Sequence, residues 1–194
     1  MGLSIPVKNT KLGKISSFSL PPIKTCPGRS PVCEKLCYVD KFYRQYPSVP
    51  KAYAANWEAA ESDTFVADMV AKIQGLPSFR IHVSGDFYSV DYIRSWIQIV
   101  GRCPNTKFWV YTRSWNVPDL VPHLEILRDM PNVQLFASWD ESMPEPPTTW
   151  RKAYMGAGSQ PAYDCPEQDG RKADCKACQY CFLGRKGNVR FKIH

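Results

Sequence analysis

The sequence predicts an α/β domain in which parallel strands alternate with helices. Between residues 15 and 139, short apolar stretches alternate with longer segments of helical periodicity, and proline or glycine separates several of them. The 194 residues, 44% of them apolar, are enough for one hydrophobic core. Strands connected through helices pair in parallel with right-handed crossovers. The pattern therefore allows either an open doubly wound sheet or part of a β/α barrel.

The first two elements are a short strand and a long helix. Residues 15–20 alternate apolar and polar side chains and stop at Pro21 and Pro22, which predicts a strand. Apolar residues recur at helical spacing from 51 to 74, and Gly75 and Pro77 end that segment. A loop that contains three cysteines lies between the two elements.

Three more strands and two more helices follow up to residue 139. The predicted order is strand 79–83, helix 90–100, strand 108–111, helix 120–130 and strand 133–139. Proline at 144, 146 and 147 makes residues 143–147 an extended linker, and residues 148–163 resemble a loop. We expect a single domain over 1–194, with a β/α body at 1–142 and a linker and cysteine-rich tail at 143–194.

Side-chain alternation in the predicted strand 79–83 places polar residues on one face. Arg80, His82 and Ser84 share that face, opposite Phe79 and Ile81. A sheet covered by helices on both sides is apolar on both faces, so this face is expected to line a cavity. His82 has a second interpretation, as a hydrogen-bonded histidine of the core.

The net charge of +7 is concentrated at the two ends of the chain. Residues 1–50 carry +6, residues 51–170 carry −5 and residues 171–194 carry +6. No apolar run is long enough to span a membrane, and no export signal is visible, so we expect a soluble intracellular protein.

Four cysteines near the carboxyl terminus form a candidate metal site. Cys165 precedes a proline, and Cys175, Cys178 and Cys181 follow at spacings of two intervening residues. Such a triplet with one distant Cys-Pro is typical of ferredoxin-type 4Fe–4S ligation, in which each sulfur reaches a different iron. Zinc is the alternative, although four-cysteine zinc sites usually consist of two separate Cys-x-x-Cys pairs. A third possibility is that no metal binds.

A second candidate group consists of Cys26, Cys33 and Cys37. Three thiolates would leave one iron of a cluster open for a small molecule, whereas four saturate it. The alternative is that these cysteines pack in the core, as free cysteines commonly do. Cys103 stands alone between predicted elements, and we expect it to be unliganded.

The turn Ser84-Gly85-Asp86 follows a predicted strand at the position where α/β folds place ligands. Gly85 permits close backbone approach, and Asp86 can accept from an amine or a hydroxyl. The same tripeptide is also compatible with an ordinary turn.

Several motifs together resemble the phage gene product 88 family, which is remotely similar to radical S-adenosylmethionine (radical SAM) enzymes. The motifs are Asn-Thr-Lys at 9–11, Phe-Ser-Leu-Pro-Pro at 18–22, Thr-Cys-Pro at 25–27, residues 33–38, residues 80–88, Tyr-Thr-Arg at 111–113, the late cysteines and Phe-Lys-Ile-His at 191–194. The resemblance implies a partial (β/α) barrel similar to the radical SAM core, a metal-binding carboxyl-terminal segment, and a location in the cytoplasm of the infected host cell. It also implies that Ser84, Gly85 and Asp86, with His82 beside them, bind S-adenosylmethionine. The spacing of Cys26, Cys33 and Cys37 differs from the radical SAM pattern, and the chain has room for only about half a barrel.

Three functions follow as hypotheses. The first is a phage-type 4Fe–4S protein with a structural, redox or sensing role, the second an active radical SAM enzyme, and the third a zinc-stabilised nucleic-acid-binding protein. DNA or RNA is a candidate partner because basic and aromatic residues alternate near both termini: Lys8, Lys11, Lys14, Lys24, Arg185, Lys186, Arg190 and Lys192 with Phe18, Tyr180, Phe182 and Phe191. The same basic residues would also offset the negative charge of a thiolate-ligated cluster.

Overall fold

The computed structural model describes residues 3–6, 9–184 and 187–193, which form a curled six-stranded parallel half-barrel with helices on its outer side. The strands are β1 (Ser78–Arg80), β2 (Lys107–Thr112), β3 (Val133–Trp139), β4 (Arg151–Met155), β5 (Tyr163–Asp164) and β6 (Val189–Phe191). The helices are α1 (Pro31–Lys35), α2 (Val39–Gln45), α3 (Ser48–Ala60), α4 (Phe65–Ile73), α5 (Val90–Arg102), α6 (Val121–Arg128) and α7 (Cys175–Cys178). Short 3-10 turns occupy Thr10–Leu12, Ser114–Asn116 and Pro118–Leu120. No helix in these described ranges combines the length and the apolar character that crossing a bilayer requires.

The six strands lie in the order β1-β2-β3-β4-β6-β5, and every neighbouring pair is parallel. Beyond β1, residues 16–20 run alongside as an extended segment. Ser17 forms an isolated parallel bridge with Arg80, and the Phe18 amide donates to the Arg80 carbonyl at 3.2 Å. The strand predicted at 15–20 is therefore reduced to one bridge, because its partner β1 is only three residues long.

The long helix predicted at 51–74 is wrong, since a turn separates α3 from α4. Ser62 donates its hydroxyl to the Ala59 carbonyl at 2.9 Å, and the Ser62 carbonyl accepts from the Phe65 amide at 3.1 Å. The Thr64 hydroxyl donates to Asp68 at 2.8 Å. Short polar side chains of this kind compete with helical backbone bonds. The turn brings Phe65 against Phe18, with ring centroids 5.7 Å apart.

The main core lies between the outer face of the sheet and helices α4, α5 and α6. The predicted helix 90–100 is confirmed as α5, which is capped by Ser89, whose hydroxyl accepts from the Tyr92 amide at 3.2 Å. The buried Trp96 of α5 packs on Phe79 of β1, with ring centroids 6.1 Å apart. The strands predicted at 108–111 and 133–139 are also confirmed, as β2 and β3.

The loop predicted at 148–163 is wrong, because Arg151–Met155 forms β4 and pairs with β3. Half of the strands follow residue 142, so the sheet continues across the expected boundary between body and tail. The stretch Arg-Lys-Ala-Tyr-Met has no apolar alternation that identifies a strand. Its pairing depends on neighbours that are distant in sequence.

The side-chain alternation predicted for residues 79–84 ends at His82. Its φ of 56° is left-handed, a conformation that histidine adopts more readily than most residues do. His82 consequently packs among Phe87, Tyr92 and Trp96 in the main core. The prediction that it shares a cavity-lining face with Arg80 is therefore wrong.

Candidate metal centre on the inner face of the sheet

A cavity lies on the inner face of the half-barrel, opposite the outer helices. The space between its lining atoms is narrow and partly open to solvent. Arg80 of β1 and Trp109 and Tyr111 of β2 form one side. The carboxyl-terminal segment forms the other, so the tail covers the inner face of the sheet. A cavity on the face that carries Arg80 is what the sequence predicts.

All four carboxyl-terminal cysteines line this cavity. Cys165 follows β5 and is fixed by its amide, which donates to the Arg190 carbonyl at 2.9 Å. Cys175 and Cys178 are the first and last residues of α7, whose capping residue Asp174 accepts from the Ala177 amide at 2.7 Å. Gln179 ends α7 with a left-handed φ of 61°, and the chain then turns Cys181 back into the cavity.

Burial is the main influence on the pKa of three thiols of this group, those of Cys165, Cys175 and Cys181. It raises the pKa of Cys175 to about 11 and that of Cys181 to about 12, and it also raises the pKa of Cys165. At neutral pH the three thiols are therefore protonated when no ligand is bound. A metal group bound there would displace their protons, because thiolates are the ligands.

Three basic side chains surround the cysteines. The Lys11 ammonium lies 3.1 Å from Glu167, and the Arg80 guanidinium lies 5.0 Å from the centre of the Tyr111 ring. Arg80 and Lys11 partly oppose the effect of burial on the pKa of Cys175, and Arg151 does so for Cys181. The Glu167 carboxylate also lines the cavity and offsets Lys11, so Arg80 and Arg151 account for the net positive charge near the sulfurs.

The donor set does not have the arrangement of a single-ion site. Across residues 3–6, 9–184 and 187–193, no three His, Cys, Asp or Glu side chains are placed to hold one metal ion. The sulfurs of a tetrahedral zinc site lie about 3.8 Å apart, since each Zn–S bond is about 2.3 Å. The four cysteines share one cavity without converging in this way.

The amino-terminal cysteines lie in a separate segment at the carboxyl edge of the sheet, which includes the short helix α1 and is called the cysteine loop below. The Asp86 amide donates to the Thr25 carbonyl at 3.0 Å, which joins this loop to the turn after β1. Burial and then the Asp86 carboxylate raise the pKa of Cys26 to about 12, with smaller contributions from Cys33 and Cys37. The structure therefore brings the three thiols close enough to influence one another.

Glycine is required where this loop meets the end of β2. A Cβ atom at Gly28 would lie 2.1 Å from the Arg113 carbonyl oxygen, far inside van der Waals contact. At Gly85, whose φ is 77°, it would lie 2.5 Å from the Leu20 Cβ. These close approaches hold the cysteine loop against the sheet.

The polar atoms of the Ser84-Gly85-Asp86 turn are bound within the protein. The Ser84 hydroxyl donates to the Leu20 carbonyl at 2.9 Å. Asp86 accepts from the Thr112 hydroxyl at 2.6 Å and from the amides of Phe87 and Arg113, both at 2.7 Å. The turn thus links β1, β2 and the cysteine loop, and its binding of a cofactor stays a prediction.

A buried ion pair supports the same loop. Arg113, after β2, donates to Asp140, after β3, at 2.6 Å. Ser30 also donates its hydroxyl to Asp140 at 2.6 Å and accepts from the Cys33 amide at 3.0 Å. Sequence reasoning did not find this pair; its only signals were the Tyr-Thr-Arg motif and the position of Asp140 directly after a strand.

Two other candidate residues are buried in the main core. His82 shares a hydrogen bond of 2.8 Å with the Tyr92 hydroxyl, and its Nδ1 atom has no hydrogen-bond partner among the residues that the structure describes. Burial lowers the pKa of His82 to about 3, and Arg80 contributes. Cys103 is buried among core side chains directly after α5. His82 as a cofactor ligand stays a prediction.

The terminal basic residues are only partly accessible for nucleic acid. Lys8, Arg185 and Lys186 lie outside the described residues. Arg190 pairs with Asp164 at 3.1 Å, as Lys11 does with Glu167. The prediction that Phe18 and Phe182 stack on bases is wrong, because both rings are buried in apolar clusters.

Comparison with known proteins identifies the family of the chain. A family model described as "Gene product 88" matches residues 4–157. The "Gene 88 protein" of Mycobacterium phage D29 is 26% identical over 92% of this chain and 87% of its own length. The "Gene 88 protein" of Mycobacterium phage L5 is 30% identical over an alignment of 120 residues that covers 54% of this chain and 50% of that protein. No solved structure matches.

The family match includes Cys26, Cys33 and Cys37 and ends before Cys165. The choice of the carboxyl-terminal cysteines as a candidate metal site therefore rests on their shared cavity and not on the family match. By the match over residues 4–157, the chain belongs to the gene product 88 family.

Proposed function

We propose that this protein binds a 4Fe–4S cluster through Cys165, Cys175, Cys178 and Cys181. The observation that carries the proposal is that all four cysteines line a single cavity on the inner face of the sheet. The site would operate in a reducing cytoplasm, where thiols stay available for metal. A cluster there would give the protein a structural, redox or sensing role.

The spacing of the cysteines along the chain favours a cluster over zinc. Cys175, Cys178 and Cys181 are separated by two residues each, and Cys165 stands at a distance in a Cys-Pro dipeptide, as in ferredoxin-type segments that place each thiolate on a different iron. Four-cysteine zinc sites usually consist of two separate Cys-x-x-Cys pairs instead. All four cysteines line one cavity, although no three His, Cys, Asp or Glu side chains among the described residues are placed to hold a metal ion.

The charge around the cavity is the second support. A cluster ligated by four thiolates is an anion, and burying an anion requires nearby positive charge. Lys11 and Arg80 line the cavity, with Lys11 paired to Glu167, and the Arg151 guanidinium lies 4.1 Å from the centre of the neighbouring Phe136 ring. These cations would stabilise the loaded state.

Anaerobic purification and reconstitution with ferrous iron and sulfide test the proposal. We expect about four iron and four sulfide per chain at the carboxyl-terminal group, with visible absorbance and a paramagnetic signal after reduction. The variant Cys178→Ala/Cys181→Ala should lose most of this iron. Cys103→Ala is the matched control and should retain it, because Cys103 belongs to neither group.

Two results would contradict the proposal. One is a colourless wild-type protein that contains zinc or no metal after anaerobic preparation. The other is full iron content in Cys178→Ala/Cys181→Ala, with loss in a Cys26→Ala/Cys33→Ala/Cys37→Ala variant. That second pattern would assign the cluster to the amino-terminal loop alone.

Radical SAM chemistry is a second candidate function, favoured by the position of the amino-terminal loop. Cys26, Cys33 and Cys37 lie at the carboxyl edge of β1–β3, where α/β folds place ligands. Three thiolates there would leave one iron open for S-adenosylmethionine. Incubation of reconstituted protein with S-adenosylmethionine and dithionite should then yield 5′-deoxyadenosine, and Cys33→Ala should abolish it. Absence of the product from cluster-loaded protein would reject this function and leave the first proposal intact.

A further inference from the structure

The hydroxyl oxygen of Tyr43, in helix α2, is buried without a hydrogen-bond partner among the residues that the structure describes. A hydroxyl in this position has given up its hydrogen bonds to water and gained none within the fold. Buried polar groups in folded proteins are nearly always paired. We therefore expect this hydroxyl to have a partner in the working protein, supplied by something other than the chain.

Tyr43 lies on the inward side of α2, one turn after Val39. Val39 is buried, and residues four positions apart share one side of a helix. The Tyr43 ring packs against Tyr53 of α3, with ring centroids 5.9 Å apart. The ring is thus held between the two helices, and its hydroxyl is directed into the protein.

The inward side of α2 begins at the amino-terminal cysteines. The Cys37 thiol accepts hydrogen bonds from the first two backbone amides of α2. Burial raises the pKa of Tyr43 above its usual range, and the charges of Tyr53, Cys37, Asp40 and Cys26 raise it further. The hydroxyl therefore lies close to two of the three thiols. It also stays protonated at neutral pH, which leaves it able to donate a hydrogen bond.

We propose that the Tyr43 hydroxyl donates a hydrogen bond to a group held by Cys26, Cys33 and Cys37. The acceptor is a sulfur of an iron–sulfur cluster, or an oxygen of S-adenosylmethionine on the iron that three thiolates leave open. This role rests on the second candidate function, in which these cysteines hold the cluster. Tyr43 then belongs to the binding site without being an iron ligand.

Other roles for this hydroxyl fit the contacts less well. The neighbouring Tyr53 hydroxyl is hydrogen-bonded to Ser19 and is not its partner. A structural role between α2 and α3 needs only the ring, which phenylalanine would supply equally well. A buried water molecule beside Tyr43 would itself need two or more polar partners. An acceptor held by the nearby thiols satisfies the hydroxyl directly.

The variant Tyr43→Phe removes the hydroxyl and keeps the ring. In metal-free protein we expect an unchanged or higher urea midpoint, because a buried hydroxyl without a partner contributes no hydrogen bond to the fold. Tyr46→Phe is the matched control. Its side chain is 48% exposed at the end of α2, and its hydroxyl should be equally dispensable.

The loaded protein gives the deciding measurements. Cys178→Ala/Cys181→Ala confines the cluster to the amino-terminal group, and adding Tyr43→Phe should leave its iron content unchanged. If a cluster sulfur is the acceptor, the redox equilibrium shifts about fivefold against the reduced form, about 40 mV for one electron. If S-adenosylmethionine is the acceptor, its dissociation constant in equilibrium dialysis rises about fivefold instead. Adding Tyr46→Phe should change neither quantity.

Three results would overturn this role of Tyr43. Bound iron with unchanged potential and unchanged S-adenosylmethionine affinity in Tyr43→Phe rejects it and leaves the candidate function intact. A lower urea midpoint of metal-free Tyr43→Phe shows that the hydroxyl has its partner within the fold. Shifts of equal size with Tyr46→Phe show that the effect is not specific to this site. Absence of iron from Cys178→Ala/Cys181→Ala is distinguished by the iron count, and it rejects the candidate function together with the role of Tyr43.

Discussion

Replacing Asp140 by Asn tests the buried ion pair that fixes the amino-terminal cysteine loop to the sheet. Arg113 and Asp140 are 7% and 3% exposed, and their charged atoms lie 2.6 Å apart. Asparagine keeps the shape of the side chain and removes its charge, so the guanidinium stays buried without a counterion. Breaking a buried pair in this way costs about 3–5 kcal/mol.

We expect a loss near the lower end, about 3 kcal/mol, because the amide oxygen can still accept one hydrogen bond from Arg113. In urea this corresponds to a fall in the unfolding midpoint of roughly 1–3 M. Asp129→Asn is the matched control: the Asp129 side chain is 68% exposed beside Arg128, and its loss should cost less than about 1 kcal/mol.

Two outcomes would refute this reasoning. The first is a loss for Asp140→Asn no larger than that for Asp129→Asn. The second concerns the double variant Arg113→Met/Asp140→Leu, which removes both charges and should unfold at higher urea than Asp140→Asn alone. If it unfolds earlier, the uncompensated charge is not the cause of the loss.

Three further predictions follow from individual side chains. His82→Gln should make the free energy of unfolding less sensitive to acid. In the wild type the pKa of His82 is about 3 in the folded protein, whereas the unfolded chain takes up a proton on this residue near pH 6.5. The wild type should therefore keep the stabilising contribution of neutral His82 above pH 6.5 and lose about 2 kcal/mol of it by pH 5. Urea unfolding of both proteins from pH 7.5 to 5 measures their free energies of unfolding, and an equal fall with pH in the two proteins would contradict the prediction. Tyr111→Phe should make the reduction potential of a bound cluster more negative, because the Tyr111 hydroxyl hydrogen-bonds Cys181. A redox titration measures this potential, with Tyr163→Phe as the control variant, and equal potentials in the two variants would contradict the prediction. Gly28→Ala should destabilise the protein by about 2 kcal/mol through its clash with the Arg113 carbonyl, whereas Gly101→Ala, which meets only an ordinary contact, should not.

The sequence predicts those parts of the fold whose pattern is local and strong. Helix α5 has a capping serine and a regular apolar stripe, and β2 and β3 are buried apolar runs, so each could be recognised within its own segment. The spacing of Cys175, Cys178 and Cys181 likewise predicts that they lie close together, whereas their binding of a metal stays a prediction. Close spacing already forces these three residues into one short turn.

Other features depend on contacts that no local pattern encodes. β4, β5 and β6 have five, two and three residues, and they are strands because each has a neighbour to pair with. The Arg113–Asp140 pair joins residues that are 27 positions apart. The left-handed turn at His82 reverses the face on which its side chain lies, and alternation alone cannot anticipate that reversal.

The insertion of β6 between β4 and β5 affects how the protein is made. β5 pairs with β6 and with no other strand of the described sheet, so it gains a partner only after residues 189–191 have left the ribosome. Until then the segment that carries Cys165 has no strand to hold it beside the other three cysteines. The side of the sheet that carries these cysteines therefore stays uncovered until β6 has been synthesised, and a chain truncated before residue 189 would leave β5 without its partner.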